Sequence, residues 1–456
     1  MGLSSVLPGI VLLGIVIFFH ELGHFLAAKW RGVTVLRFSL GMGPELVGFT
    51  HGGTRYCVSW IPLGGFVQMA GDHLADDGSM PEGGPEQFLT HPWWGRIIIA
   101  VAGPAANLVT AFLVVLLMFM VGVHLPDWPN HLGALQDDTH AYAAGLREGD
   151  VITSIGGRKV GNWHELEEAA SHLDGKSAVT FAFVRDSSAD SVVVAGKDTK
   201  AVLADFQPPP TPPIVGNVGT GTPAYRAGMK EGDRVLAVDG KPMHAFGDIP
   251  QALRGKADHP VTFRLERDGK AFDLAVTPMS MDGKSGSAQI GIGAVRGVQW
   301  VQRLSFIDAV PAALHTIPGL VGGVYSSLWL TLTRPFYYRE AIGGPIFIAQ
   351  MAAESARMGL DSWLYLLALI NVAIMAFNLL PLPLLDGGHI TLAVLEGARR
   401  RAVSGRTYMN FQKVGLVLVG TLFVFILSKD LVRPFQRLRA VEQAPRETTT
   451  VAPDQR

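Results

Sequence analysis

Between Leu3 and Ala28 the chain carries three ionisable side chains, His20, Glu21 and His24, and no other group that holds a charge. A run this long and apolar can cross a bilayer as a helix. Ionisable groups inside such a helix are costly enough to be functional by default. On a helix the two histidines stand one turn apart on one face, where both imidazoles reach one Zn2+ ion. Glu21 lies beside them, placed to hold a water, which is the H-E-x-x-H arrangement. The competing reading is a pair of interfacial histidines with a snorkelling glutamate. A catalytic zinc needs a third protein ligand and an open fourth position. The rest of the chain must supply that ligand.

Composition limits the candidates. At 456 residues, 48% hydrophobic and 17% charged, the chain is too apolar for an ordinary soluble protein and too long for one domain. It reads as an integral membrane protein with a sizeable soluble part. A net charge of -1 gives no reason to expect nucleic acid as a partner. The single Cys57 excludes an internal disulfide and a thiolate zinc site, so a metal must use His and carboxylate ligands; Cys57 itself reads as a packed small hydrophobe. The N-terminus lacks the Lys or Arg that opens a signal peptide, and its apolar run is too long for an h-region. It is therefore expected to be a retained span.

Four spans are expected, at about 4–28, 97–123, 362–385 and 411–428. Between the first two, Lys29 to Arg96 is glycine-rich. It carries strand-like runs at Arg55 to Trp60 and Phe66 to Met69, with a Gly52-Gly53 turn signal. This β loop reads either as a small surface sheet or as an edge strand that holds an extended substrate by main-chain hydrogen bonds, with Gly64, Gly65 and Phe66 as candidate substrate contacts. The second span contains Gly103-Pro104-Ala105-Ala106-Asn107, whose small residues permit close helix packing. Asn107 reads as helix-to-helix glue in preference to a catalytic group.

A soluble block follows with an internal repeat. Ala141 to Gly157 aligns without gaps on Ala224 to Gly240, and the shared pattern A-G-[LM]-x-x-G-D-x-[IV]-x-x-[IV]-x-G resembles PDZ domains. An offset of this size marks a tandem pair of domains, not a solenoid. Helix candidates at Trp163 to Leu173 and Phe246 to Leu253 follow the two copies, then strands at Val179 to Val184 and Val261 to Leu265. The first PDZ-like domain is expected at 124–206 and the second at 214–300, joined by a stiff Pro-rich linker at 207–213. Such domains capture peptide ends by strand addition, or act as a steric gate with no ligand.

Ala309 to Thr333 is free of Asp, Glu, Lys and Arg and long enough to span. If it crossed, however, the C-terminal ends of the first span and of Ser362 to Leu385, bearing His24 and Asp386, would not meet at one depth. It is therefore expected to lie on or dip into the outer interface, within a helical segment at 301–361. Lys29, Arg31, Arg37, Arg55, Arg96, Arg399, Arg400, Arg401 and Arg406 crowd the first and last loops, which places both in the cytoplasm. Lys429, Arg433, Arg437 and Arg439 then lie outside, a cost this orientation accepts. The tail from Glu442 to Arg456 is expected to be disordered.

Asp386 is the favoured third ligand, because a carboxylate ending an apolar helix needs a cation or metal. Asp72, Asp76 and Asp77 compete but sit in a polar loop, and a helix-end role explains His389. Asn378 reads either as an oxyanion donor or as a helix-to-helix hydrogen bond. Together these motifs resemble the site-2 protease family of intramembrane zinc metalloproteases, in its RseP-type branch with two PDZ domains. HELGH, IPLGGFV at Ile61 to Val67, GPAAN, GGPI at Gly343 to Ile346 and N-x-x-P-x-P-x-L-D-G-G at Asn378 to Gly388 carry the likeness. The resemblance implies one zinc held by His20, His24 and Asp386, Glu21 as general base, and Asn378 near the substrate. It also implies a bacterial inner-membrane location with periplasmic PDZ-like domains. The implied substrates are single-span proteins, such as a trimmed anti-sigma factor, or remnant signal peptides, cut in an envelope stress response. Two rivals remain: a scaffold with a vestigial metal site, and a metalloprotease of another clan with Glu396 as third ligand, although Glu396 precedes an Arg cluster that would pair with it.

Overall fold

The computed structural model describes residues 3–74, 79–219, 222–280, 288–295, 297–333 and 343–442. Asp76 and Asp77, and the tail from 443 onward, lie outside the described residues. The chain forms two compact units, one of Met1–Val123 with Arg303–Arg456 and one of His124–Gln302.

The first unit opens with helix α1 (Leu3–Arg31), apolar along most of its length. Its end is set by Gly32 at φ +78°. The Gly32 N–H bonds the Lys29 carbonyl and the Val33 N–H bonds the Ala28 carbonyl, so a left-handed glycine satisfies the last free carbonyls of the helix. Strands β1 (Val35–His51) and β2 (Thr54–Met69) then turn back on each other at Gly52 and Gly53, both with positive φ, the two-residue turn that glycines permit without strain. The pairing is doubled. Arg37 to Leu40 pair on one side with Arg55 to Val58 and on the other with Gly65 to Gln68, while Val47 to His51 pair with Thr54 to Val58. Two long strands thus make a four-deep ladder, and the Gly65 to Met69 stretch is one of its edges.

Helix α2 (Trp93–Val121) packs along α1, with Gly23 so close that a Cβ there would meet the Ala102 carbonyl oxygen at 2.3 Å. Helices α3 (Phe306–Thr333), α4 (Pro345–Met358), α5 (Leu360–Asn378), α6 (Asp386–Arg399) and α7 (Gly405–Glu442) complete the unit. Its apolar core draws Leu12 and Val16 from α1, Ala111 and Val115 from α2, Ala313 from α3, Ala352 from α4, and Ala368 and Val372 from α5.

Among the described residues five helices are long and apolar enough to cross a membrane: Leu7–Arg31, Trp93–Val121, Phe306–Thr333, Leu360–Asn378 and Gly405–Ile426. The chain is a membrane protein, and length alone does not separate α3 from the four expected spans. One expectation is corrected. The apolar run from Ser362 to Leu385 is not one helix ending in Asp386: α5 stops at Asn378, and Asp386 is the first residue of α6. Pro381 and Pro383 each lack an N–H and cannot continue a helix, so 379–385 form a turn in which Leu384 takes φ +70°. A carboxylate at a helix N-terminus is favoured by the helix dipole, which suits Asp386 better than the C-terminal position expected for it.

The second unit repeats itself. A four-stranded sheet in the spatial order 158–159, 151–155, 179–185, 188–194 is matched by one in the order 241–242, 234–238, 261–267, 270–276. Helices Trp163–Ser171 and Asp248–Leu253 occupy equivalent places, and each sheet has its own apolar core, around Phe181 and Phe263. The repeat extends to single bonds. Asp150 and Asp233, both fully buried, each accept two hydrogen bonds from one arginine, Arg185 and Arg267. Such bidentate pairs satisfy a buried carboxylate that would otherwise be prohibitive.

Candidate metal centre

The first unit encloses a cavity of about 860 Å3 lined by His20, Glu21 and His24 from α1, Gly64 to Val67 from β2, Asn378, and Asp386 with His389 from α6. Stretches far apart in sequence therefore meet in it.

His20 and His24 are buried, at 9% and 8% exposure, and their rings stand perpendicular with centroids 4.8 Å apart. Their Nε2 atoms lie 3.2 Å from each other. Asp386 faces both, with Oδ2 at 3.3 Å from His20 Nε2 and Oδ1 at 3.3 Å from His24 Nε2. Two imidazoles and a carboxylate that bind a tetrahedral ion at about 2.0 Å place neighbouring ligand atoms about 3.3 Å apart, the edge of the tetrahedron. The Nε2–Nε2 separation and the approach of each imidazole to Asp386, made to a different carboxylate oxygen in each case, are close to that edge. His24 Nδ1 is 2.8 Å from the Ile99 carbonyl oxygen, an acceptor only, so the ring donates there and the neutral ring presents Nε2 as its lone-pair nitrogen. Among the described residues these three are the group of His, Cys, Asp and Glu able to hold a metal ion. The donor set and the spacing fit zinc.

Burial pushes the His389 imidazole below its usual value and keeps it neutral. His389 faces Phe88 and Tyr408 and is not part of the three-ligand group. Asp72 accepts from the Met69 N–H at 3.0 Å, closing a turn at the end of β2. Glu396 does meet an arginine, but Arg96 of α2 instead of the cluster at Arg399 to Arg401, and it also accepts from the Val403 N–H at 3.0 Å. Cys57 is buried, with Arg37 Nε at 3.0 Å from its sulfur.

β2 reaches Glu21 because two glycines let it. Gly64 holds φ +100°, and a Cβ on Gly65 would meet the Ser39 carbonyl oxygen at 3.0 Å and Glu21 Cγ at 3.4 Å. The Val67 amide accordingly comes within hydrogen-bonding reach of the Glu21 carboxylate. Phe66 lies under the Arg37 guanidinium, 5.4 Å from its ring centroid. Asn378 closes α5 on the cavity wall.

Three neighbours escaped sequence reasoning. Asn107 of α2, fully buried, lies 3.2 Å from His20 Nδ1 through its side-chain amide. Gly103, one turn earlier, leaves the space the His24 ring occupies: a Cβ there would stand 2.3 Å from Nε2. The Ile99 carbonyl, a turn earlier again, holds His24 Nδ1. The four-residue steps along α2 match the His20 to His24 step on α1, and that equality was the available signal.

The sequence pattern described as Peptidase family M50 matches residues 8–422. A protein of Neisseria meningitidis serogroup A is 30% identical over 92% of this chain and 97% of its own length. One of Xylella fastidiosa strain Temecula1 is 30% identical over 94% of this chain and 99% of its own, and one of Brucella suis 27% identical over 94% and 95%. Each carries the name "Putative zinc metalloprotease". Among solved structures, the PDZ domain of an SdrC-like protein from Listeria monocytogenes is 22% identical, covering 18% of this chain and 85% of that domain with a TM-score of 0.17.

Proposed function

The chain belongs to peptidase family M50, the site-2 proteases, and is a zinc metalloprotease; on that premise we propose that it cuts its substrates within the bilayer, with zinc held by His20, His24 and Asp386. The observation that carries this reading is the gathering of His20, His24 and Asp386, whose ligand atoms lie within 4.8 Å of one another, beside Glu21 in one cavity.

Zinc in such a site polarises a carbonyl and lowers the pKa of a water toward about 7. Glu21, next to the ligands in sequence, would accept a proton from a water in the cavity and pass it to the leaving nitrogen. Asn378 offers its amide to the developing oxyanion. A transmembrane substrate hides its carbonyls in helical hydrogen bonds and must unwind before attack, which hydrocarbon penalises. The edge of the β ladder at Gly64, Gly65 and Phe66 supplies main-chain partners for the unwound segment, as strand addition requires.

In this reading the substrates are single-span proteins, an anti-sigma factor already trimmed on its outer side or remnant signal peptides, and cleavage releases a cytoplasmic fragment that turns on an envelope stress response. Four helices span the bacterial inner membrane and α3 lies at the outer interface. The two PDZ-like domains, at 124–206 and 214–300, are periplasmic and exclude proteins whose outer domain is intact. The charge of the first and last loops supports the orientation.

The test is cleavage of a membrane reporter, truncated on its outer side, by purified wild type and Glu21→Gln, with zinc content measured in both. Wild-type cleavage lost in Glu21→Gln with zinc retained is expected. Equal activity in the two, or no zinc in either, overturns the reading.

A further inference from the structure

The zinc site proposed above needs a bare Nε2 on both histidines, and the two rings obtain it differently. For His24 the Ile99 carbonyl settles the matter, because a carbonyl cannot donate and Nδ1 must carry the proton. His20 Nδ1 faces Nδ2 of the Asn107 amide at 3.2 Å, and the two ends of an amide, one donor and one acceptor, are told apart only by the hydrogen bonds they make. Were its nitrogen to donate, the His20 proton would sit on Nε2, pointing at His24 Nε2 3.2 Å away and closing the centre to an ion. Asn107 is fully buried in α2, and its Oδ1 has no partner among the described residues. An acceptor thus stands free one half-turn of the amide away from the one imidazole that needs it.

We infer that Asn107 is a positioning residue: its side-chain oxygen accepts from His20 Nδ1–H, fixes the tautomer that presents Nε2 to the metal, and holds the ring plane. A ligating histidine gains both orientation and basicity from such a partner. Ile99 and Asn107, two turns apart on α2, then do the same task for His24 and His20, while Gly103 between them leaves room for the His24 ring. This inference rests on the zinc reading of the site.

The experiment compares zinc affinity by chelator competition in wild type, Asn107→Leu and Asn107→Asp, with the thermal unfolding of each metal-free protein measured alongside. Leucine keeps the bulk and removes the acceptor; aspartate keeps the acceptor. Asn107→Leu is expected to bind zinc about 10–100-fold more weakly, and Asn107→Asp to stay within about threefold of wild type. The rescue by aspartate separates an acceptor from packing, whatever leucine does to the unfolding temperature. Equal affinity in all three proteins, or a loss that aspartate shares, overturns the inference. Wild type without zinc would instead sink the reading beneath it.

Discussion

Gly103→Ala is the smallest change that should dismantle the metal centre without touching a ligand. The added methyl would stand 2.3 Å from His24 Nε2, 2.6 Å from Cε1 and 2.8 Å from Cδ2. Restoring ordinary contact of about 3.5 Å means moving the ring or the helix by about 1.2 Å at the 2.3 Å contact. The ring has nowhere to go. Its Nδ1 is tied to Ile99 at 2.8 Å and its Nε2 faces Asp386 at 3.3 Å. Metal ligands tolerate displacements of only about 0.2 Å, so affinity for zinc should fall at least about 100-fold, roughly 2.7 kcal/mol. Stability should change far less, because overpacking costs about 1–3 kcal/mol and alanine recovers up to about 1 kcal/mol over glycine in a helix. Gly14→Ala on α1 is the internal control, since a Cβ there meets nothing within 4 Å. It should gain up to about 1 kcal/mol and leave zinc binding unchanged. Chelator competition, reporter cleavage and thermal unfolding in detergent read all three quantities. Gly103→Ala with wild-type zinc affinity and full cleavage would refute the argument that His24 is held against α2.

Two further outcomes follow from the same geometry. Gly65→Val pushes β2 away from Ser39 and Glu21, so kcat/KM should fall by about 100-fold, the usual effect of a displacement near 1 Å, while zinc content stays at the wild-type level; full activity would remove the edge strand from the mechanism. Glu396→Ala leaves Arg96, 7% exposed, without its counter-charge and should destabilise the membrane unit by about 3–5 kcal/mol in an unfolding assay, most of which the double replacement Arg96→Met, Glu396→Leu should recover.

What the sequence made legible was whatever local chemistry dictates. The proposed ligands on α1 could be singled out because charge is rare inside an apolar run and because His20 and His24 are one helical turn apart. The two copies of the soluble repeat could be read from glycines and aspartates at fixed offsets, and Asp150 with Asp233 turned out to hold equivalent arginines. The long strand β1 could not be read: Gly41, Met42, Gly43 and Pro44 look like a loop, and only pairing on both sides of Arg37 to Leu40 makes the stretch a strand. The break at Asn378 was half visible. The prolines were noted, yet the apolar run hid the fact that Asp386 begins a new helix.

Asn107, Gly103 and Ile99 were illegible for a different reason. Each looks ordinary for a membrane helix: an amide as helix glue, a glycine as a packing contact, a carbonyl as backbone. Their meaning depends on which face of α2 meets α1, and hydropathy does not record that face, because lipid-facing and helix-facing positions in a span are both apolar. Only the distances to the two rings decide it. A metal centre assembled inside a membrane therefore shows its ligands in sequence, since those are the costly groups. The groups that orient the ligands stay concealed, because they satisfy the polar atoms beside them and so no longer stand out as costly.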